Sequence, residues 1–500
     1  MPRPQSGEVD RTAERVGLIA AVVVLLAFAV VRLNTTSLWL DEAWSLAATQ
    51  KLGMSLRATN GTMSAYYVPL WLWARVSTAT WWLRLLSTVF AIGTLVVVSR
   101  LARRVGGSRL AAIAPLLLVA SPMFLWKATE ARAYGLETLV VACTWLVLFR
   151  AVEAQHEPDG RAVLRWSIVL GLLAAVGPLV HGLYILELFG VVAVLLLGDI
   201  RAGLRIIAPA FLASLVATLV LLATGSKDYG AALPGSVAHL FADGGDWFLS
   251  AIERVALIVL VVLVAGIVAC TAQAVRARSD IERMDRAMPL AWVIVPVAAI
   301  LVERAVHGVY VAYYLAPIAP GIALLLGCGA LALDDLLLRR RARTTRPALL
   351  GPVVVATVGL LLVAQVQHPL RPGEDWRGAA RLVAAETRSG DAIVFVQSPI
   401  VESRTAFEAA WREVRHPLVP TALSPARPLG RAQREDTFLT PAQVAERARR
   451  YSRIWVVDIH GVIDDKHLVS RAHLTTSFHK AVDRTFEGGI RVLRYDANAP

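Results

Sequence analysis

Two adjacent acids, Asp41 and Glu42, sit among aromatic residues in the stretch Ser37-Leu38-Trp39-Leu40-Asp41-Glu42-Ala43-Trp44-Ser45. A carboxylate beside an apolar, low-dielectric surface is a better proton acceptor than one in open water, so the chemistry this pair offers is general-base catalysis. The plainer alternative is a polar loop flanked by interfacial tryptophans. A second set follows: Lys127, Glu130, Arg132, Tyr134 and Glu137. If a helix opens near Glu130, then Glu130, Tyr134 and Glu137 share one face. The forked guanidinium of Arg132 suits a phosphate, and pairing with Glu130 is its structural alternative. The third set is His181, Tyr184 and Glu187. Glu137 and Glu187 each interrupt an apolar run, where an acid is costly unless it faces a cavity or a partner. Arg84, Arg304, His307 and Tyr310 complete the candidates. Arg84 has the alternative of snorkelling to head groups, and His181 that of an ordinary interfacial residue.

These residues must be positioned by membrane-spanning helices. The chain has 500 residues, 56% of them hydrophobic and only 18% charged, with the apolar residues in long blocks. Runs of roughly 17–25 apolar residues cross a bilayer. Candidate spans are 16–33, 83–102, 109–127, 134–151, 164–181, 183–199, 205–223, 254–275, 287–303, 311–333 and 347–366. The first is read as a retained span rather than a signal peptide, because no small-residue cleavage site follows it. The aromatic stretch Ala65-Tyr66-Tyr67-Val68-Pro69-Leu70-Trp71-Leu72-Trp73 suits a helix lying at the interface better than a span. With residue 1 inside, the inner segments hold about 21 Lys and Arg against about nine outside, as the positive-inside rule requires. All three sets of candidate residues then fall on the extracytoplasmic side. A transport path would need polar groups across the midplane, and the ionisable residues gather toward the outer span ends instead.

The net charge of +13 is explained by these inner loops, and no basic stripe with interleaved aromatics points to nucleic acid. Cys143, Cys270 and Cys328 all lie in apolar runs and read as packing residues. Abundant Ala, Val, Leu and Arg with only five lysines suggest a GC-rich bacterial genome, hence a multi-pass protein of a bacterial plasma membrane. Three parts are expected: a cytoplasmic tail at 1–15, a membrane domain at 16–366 with its first outer loop at 34–82, and an extracytoplasmic domain at 371–500. The last part is polar. Trp376 to Thr387 predicts a helix ending before Gly390, and Thr440-Pro441-Ala442-Gln443 predicts another helix start. Asp391–Val396, Ile454–Asp458 and Ile490–Leu493 predict strands, which gives a small α/β domain.

Taken in order, these motifs resemble the GT-C fold glycosyltransferases, of the bacterial branch akin to protein O-mannosyltransferases and lipid A aminoarabinose transferases. The resemblance rests on Leu40-Asp41-Glu42 in the first outer loop, Tyr66-Tyr67-Val68-Pro69-Leu70 as the juxtamembrane helix and Arg84-Leu85-Leu86-Ser87 opening a span. It extends to Ser121-Pro122 before Glu130-Ala131-Arg132-Ala133-Tyr134, and to Glu374-Asp375-Trp376-Arg377-Gly378-Ala379-Ala380 with Gly390-Asp391. It covers the first 140 residues or so by motif and the remainder by architecture. In two places the chain departs from many relatives. It has Thr62-Met63-Ser64-Ala65 where they carry a polar-Pro-Pro element, and Tyr313-Tyr314 where they carry Arg-Tyr.

The resemblance implies a polyprenyl-phosphate-linked sugar as donor, a cell-envelope glycan, glycolipid or protein as acceptor, and inverting transfer. It implies Asp41 as base with Glu42 positioning it. Arg132, Lys127, Arg84 and Arg304 would act on the donor phosphate. Glu130, Tyr134, Glu137, His181, Tyr184, Glu187, Tyr66, Tyr67 and His307 would contact donor or acceptor. The scheme requires no cofactor, and a divalent metal at the acidic loop stays open. The competing readings are a lipid or solute transporter and a non-catalytic membrane scaffold.

Overall fold

The computed structural model describes residues 6–50, 52–53, 56, 61–155, 160–198, 200–224, 256–307, 312–340, 373–395, 403–423, 446–459 and 477–498. The polypeptide divides into two compact units. One comprises Met1–Val30, Thr62–Tyr66 and Arg84–Leu370; the other comprises Val31–Gly61, Tyr67–Leu83 and Arg371–Pro500.

The first unit is helical. Among the described residues of the chain, eight helices are long and apolar enough to cross a membrane. In chain order the helices are α1 (Ser6–Arg32), α2 (Leu40–Gln50, in the second unit), α3 (Ser64–Trp73), α4 (Thr80–Val119), α5 (Pro122–Ala128), α6 (Tyr134–Ala154) and α7 (Gly160–Val180). There follow α8 (Tyr184–Leu195), α9 (Ile200–Thr224), α10 (Ala256–Arg276), α11 (Asp280–His307), a 3-10 segment (Ala312–Ile318) and α12 (Ala319–Arg340). The aromatic stretch forms α3, whose 10 residues are too few to span.

Three expected spans take a different form. The expected spans at 83–102 and 109–127 belong to the 40-residue α4, which breaks at Gly106-Gly107. Gly107 has φ +71, a left-handed conformation that residues with a Cβ avoid. The second of these spans also stops early, at Val119, because Pro122 disfavours helix at the residue before it. Ser121 is extended at φ −68, ψ 121, and Pro122 opens the short α5. The expected span at 183–199 appears as α8, which has only 12 residues. The run 347–366 lies outside the described residues.

Within the unit α6 packs on α7, α7 on α9, α8 on α11 and α10 on α12. The α10–α12 contact is backbone on backbone: a Cβ at Gly329 would collide with the Val262 carbonyl oxygen. Small residues allow such close approach where lipid supplies no hydrophobic drive. Charged residues tie the helices together around the Gly106-Gly107 break. Arg104 pairs with Glu153 and, at 3.1 Å, with Asp285, while Arg109 reaches Asp334 at 2.6 Å. Arg103 pairs with Glu14 of α1.

The second unit holds a five-stranded mixed sheet of order β2-β1-β3-β5-β4. Its strands are β1 (Ala392–Phe395), β2 (Thr421–Ala422), β3 (Arg453–Ile459), β4 (Phe478–Phe486) and β5 (Ile490–Ala497). β1 runs parallel to β2 and β3, and β5 antiparallel to β3 and β4. Every residue of β3 is buried, and its apolar run Ile454–Val457 suits a strand covered on both faces. Ala392, Val394, Ile454, Val456, Phe478, Leu493 and Tyr495 form one core. Helices α13 (Trp376–Glu386) and α14 (Ser403–Val414) accompany the sheet. Asp375 caps α13 by accepting from the Gly378 N–H at 2.8 Å, and Gly390 turns at φ +88 before β1. A helix start at Thr440 lies outside the described residues.

Sequence periodicity did not disclose β4. Its residues are mostly exposed, so no apolar alternation marks it. The backbone ladder to β5 holds it, and charge pairs flank that ladder. Asp483 bonds Arg491 of β5 at 2.6 Å and Lys480 at 2.7 Å. The hydrogen bond from Arg491, then the one from Lys480, holds the Asp483 carboxyl well below the usual carboxylate range.

Candidate active site

The candidate residues fall into two groups, one in each unit. In the sheet-bearing unit, Asp41 and Glu42 occupy the first turn of α2. Negative side chains are favoured there by the partial positive charge of the helix start. The first helical hydrogen bond runs from the Ala43 N–H to the Trp39 carbonyl at 2.9 Å, so Trp39 is the N-cap. The fully buried Glu42 reaches back and accepts from the Trp39 N–H at 3.2 Å. This is half of a capping box, and it fixes Glu42 as a structural acceptor. Asp41 is partly exposed, and its own carbonyl accepts from the Ser45 hydroxyl at 3.2 Å. The two acids thus differ: one is buried in the helix cap, while the other keeps a face open.

The cap needs a further acceptor, because Trp39 has no side-chain oxygen to offer. Glu374 provides it. Its Oε2 accepts from the Leu40 N–H at 2.9 Å and from the Trp376 indole at 2.7 Å. The sequence presented Glu374 only as part of a motif and gave it no role. Tyr67, in the same unit, is buried at 4% exposure.

In the helical unit the second and third sets come together. Lys127 at the end of α5 is 2% exposed, and its Nζ bonds Glu130 Oε2 at 2.7 Å. The same ammonium lies 3.5 Å from the Trp126 ring centroid and 4.5 Å from that of Tyr134. Such a cation–aromatic box compensates a buried charge. α6 starts at Tyr134 rather than at Glu130, so Glu130 sits in the preceding turn. The expectation of one helical face carrying Glu130, Tyr134 and Glu137 is therefore corrected. The turn itself is pinned to α4: the Ser87 hydroxyl donates to the Arg132 carbonyl at 3.3 Å and the Thr88 hydroxyl to the Ala128 carbonyl at 2.8 Å. Arg132 and Arg84 are both buried in this unit, as is Tyr66.

His181 links the two sets. Its Nδ1 is 3.1 Å from Glu137 Oε1. Its ring lies 5.5 Å from that of Tyr134 and 5.2 Å from that of Tyr314. Tyr184 opens α8 and shares a hydrogen bond of 2.7 Å with Thr144. Glu187 lies one turn further along and is 6% exposed. Glu137 Oε2 and Glu187 Oε2 find no hydrogen-bond partner among the described residues. Buried carboxylate oxygens without partners are costly, which marks this cluster as a place for a polar guest.

Trp126, Thr144 and Tyr314 join the cluster without having been singled out as site residues. Tyr314 had a signal in its Tyr-Tyr doublet, whereas Trp126 and Thr144 had none. Arg304 and His307 belong to the last turns of α11, where side chains lie outside the described residues, as does Tyr310. Among the described residues no group of three or more His, Cys, Asp or Glu converges as metal ligands would.

No protein-family model and no curated protein sequence matches the chain. Solved structures do. ArnT from Cupriavidus metallidurans in the apo state matches with a TM-score of 0.60 at 16% identity, over 95% of this chain and 97% of that one. The same protein bound to undecaprenyl phosphate matches with a TM-score of 0.59 at 16% identity, with the same coverage. The archaeal oligosaccharyltransferase AglB from Archaeoglobus fulgidus, in complex with an inhibitory peptide and a dolichol-phosphate, gives 0.52 at 12% identity over 93% of this chain and 72% of that one. A multi-pass helical protein with a small C-terminal sheet domain, the chain has the GT-C fold that these structures share.

Proposed function

We propose that this protein is a membrane glycosyltransferase that moves a sugar from a polyprenyl-phosphate donor to a cell-envelope acceptor (glycan, glycolipid or protein) with inversion. The observation that carries the reading is the contrast between Asp41 and Glu42: within one helix start, Glu42 is fully buried and accepts from the Trp39 N–H, whereas the adjacent Asp41 is partly exposed. Two neighbours in fold, solved with undecaprenyl phosphate and with a dolichol-phosphate, support the lipid-linked donor.

In this scheme Asp41 accepts the proton of an acceptor hydroxyl as its oxygen attacks the anomeric carbon. The bond from that carbon to the phosphate oxygen breaks, and polyprenyl phosphate departs with the bonding electron pair. Arg132 and Arg84 stabilise the charge that develops on the phosphate, with Lys127 and Arg304 as further cations. Glu137, His181, Tyr184 and Glu187 orient the polar face of donor or acceptor, with Glu130, Tyr134, Tyr66, Tyr67 and His307 beside them. The scheme needs no metal.

The proposal places the acidic loop and the sheet on the outer side of a bacterial plasma membrane, with the N-terminus in the cytoplasm. Parity supports it. Segments 34–50 and 373–414 hydrogen-bond within one unit, so they share a side and an even number of crossings separates them. The spans expected from the sequence between these segments, from 83–102 to 347–366, number ten, which is even.

The test is transfer of labelled sugar from polyprenyl phosphate in membranes containing wild type or Asp41→Asn. Label moving to an envelope acceptor with the wild type alone is the expected result. Unchanged transfer by Asp41→Asn would remove the base.

A further inference from the structure

We infer that Glu374, in the sheet-bearing unit, is a positioning residue for Asp41: its carboxylate closes the start of the helix that presents the base. The inference rests on the glycosyltransferase reading given above.

The geometry begins at the Leu40 amide. Leu40 is the first residue of α2, so its N–H is one of the helix-start donors that have no partner within the helix. Asp41 is the next residue. Among the described residues the acceptor of the Leu40 N–H is Glu374, while Glu42 is engaged on the Trp39 N–H. The acceptor comes from 334 residues away. Glu374 is 2% exposed and Trp376 is fully buried, and the Trp376 indole fixes the same oxygen, Oε2, that the Leu40 amide uses. That oxygen has two donors and almost no solvent, so its position is set from both sides.

Neighbouring contacts show that this bond is the centre of a longer seam. The Arg377 N–H donates to the Ser37 hydroxyl at 2.9 Å, and the Arg377 guanidinium donates to the Asn34 carbonyl at 2.8 Å. Arg377 also pairs with Glu413 of α14. A Cβ at Gly373 would lie 2.7 Å from Thr36 Cγ2, so the two segments run in direct contact. Residues 34–40 are thus lined up along 373–377, and α2 packs on α14. The first turn of α2 is therefore oriented by the C-terminal part of the chain. A carboxylate base acts only within hydrogen-bond reach of the proton it takes, so a shift of its helix start reduces turnover.

Two full-length variants test this in membranes. Glu374→Met keeps the volume and removes the acceptor; Glu374→Gln keeps an acceptor oxygen. Glu374→Met is expected to lower kcat about 10- to 100-fold with the donor KM within about threefold, as loss of a buried hydrogen bond to a charged group implies. Glu374→Gln is expected to restore kcat to within about threefold of wild type. Hydrogen exchange in detergent should show the Leu40 amide exchanging at least tenfold faster in Glu374→Met, with protection of α4 and α6 unchanged. Equal kcat in all three proteins, equal losses in both variants, or unchanged exchange at Leu40 would each overturn the positioning role. If wild type itself transfers no sugar, the glycosyltransferase reading fails while the exchange arm still decides whether the latch exists.

Discussion

The two groups of candidate residues are built on opposite principles. The Lys127–Glu130 turn is local: its partners are three residues apart and enclosed by two rings that lie nearby in the chain. The start of α2 is non-local, and its decisive acceptor is a third of a thousand residues away. A buried charge pair is costly to form and more costly to break on one side, because the remaining charge is stranded. A helix start closed from a distance costs little in itself but makes one segment's geometry depend on another's. The first arrangement makes a local cation–carboxylate wall, and the second makes a mount for Asp41 that is set by a distant part of the chain.

Variants of the two arrangements should therefore behave differently. The largest effect is expected at the mount's cargo: Asp41→Asn should lower transfer about 10²- to 10⁴-fold, the range typical of a lost general base, while thermal unfolding in detergent stays at the wild-type temperature. Next comes the wall. Lys127→Met removes the ammonium from the buried Glu130 Oε2 and should destabilise the helical unit by about 3–5 kcal/mol, and the double change Lys127→Met with Glu130→Gln should recover part of that loss in denaturant unfolding. If the single and double changes are equal, the pair is not a coupled wall. Arg132→Ala should reduce kcat/KM for the donor about 10- to 100-fold in initial-rate measurements, with little change for the acceptor.

The smallest effect belongs to the sheet. The Asp483 carboxyl is held below its ordinary range by Arg491 and Lys480, so its stabilisation is present above about pH 4 and is lost as pH falls through the depressed value. The side chain is 29% exposed, and solvent screening keeps the contribution below about 1 kcal/mol. Asp483→Asn should therefore speed amide exchange in β4 slightly at pH 7 and leave transfer unchanged, and its difference from wild type should shrink progressively as pH is lowered below about 4.

The sequence announced what is local and periodic. Long apolar runs gave the spans, and Trp376–Glu386 gave a helix because Asp375 caps it and Gly390 ends the turn after it. The strands β1 and β3 were legible through the apolar runs Ala392–Phe395 and Ile454–Val457, and β5 through the apolar residues of Ile490–Leu493. β4 was not, since it is an exposed edge strand that has no alternating face. Within the candidate site, residue types were readable while partners were not. Arg132 and Lys127 compete for Glu130 on paper; three residues of spacing and a ring on either side favour Lys127. Glu374 was hidden for a stricter reason: no window of sequence contains both it and Leu40.

That separation has a consequence for how the protein is made. At about 5–20 residues per second, synthesis places Glu374 roughly 20–70 s after Leu40. Throughout that interval the growing chain carries the acidic pair with only Glu42 to cap it. The helix that bears Asp41 gains the Glu374 acceptor only when the last quarter of the chain has been delivered to the same side of the membrane. The order of synthesis thus acts as a timer: the helices that face the lipid are in place before the proposed base is set.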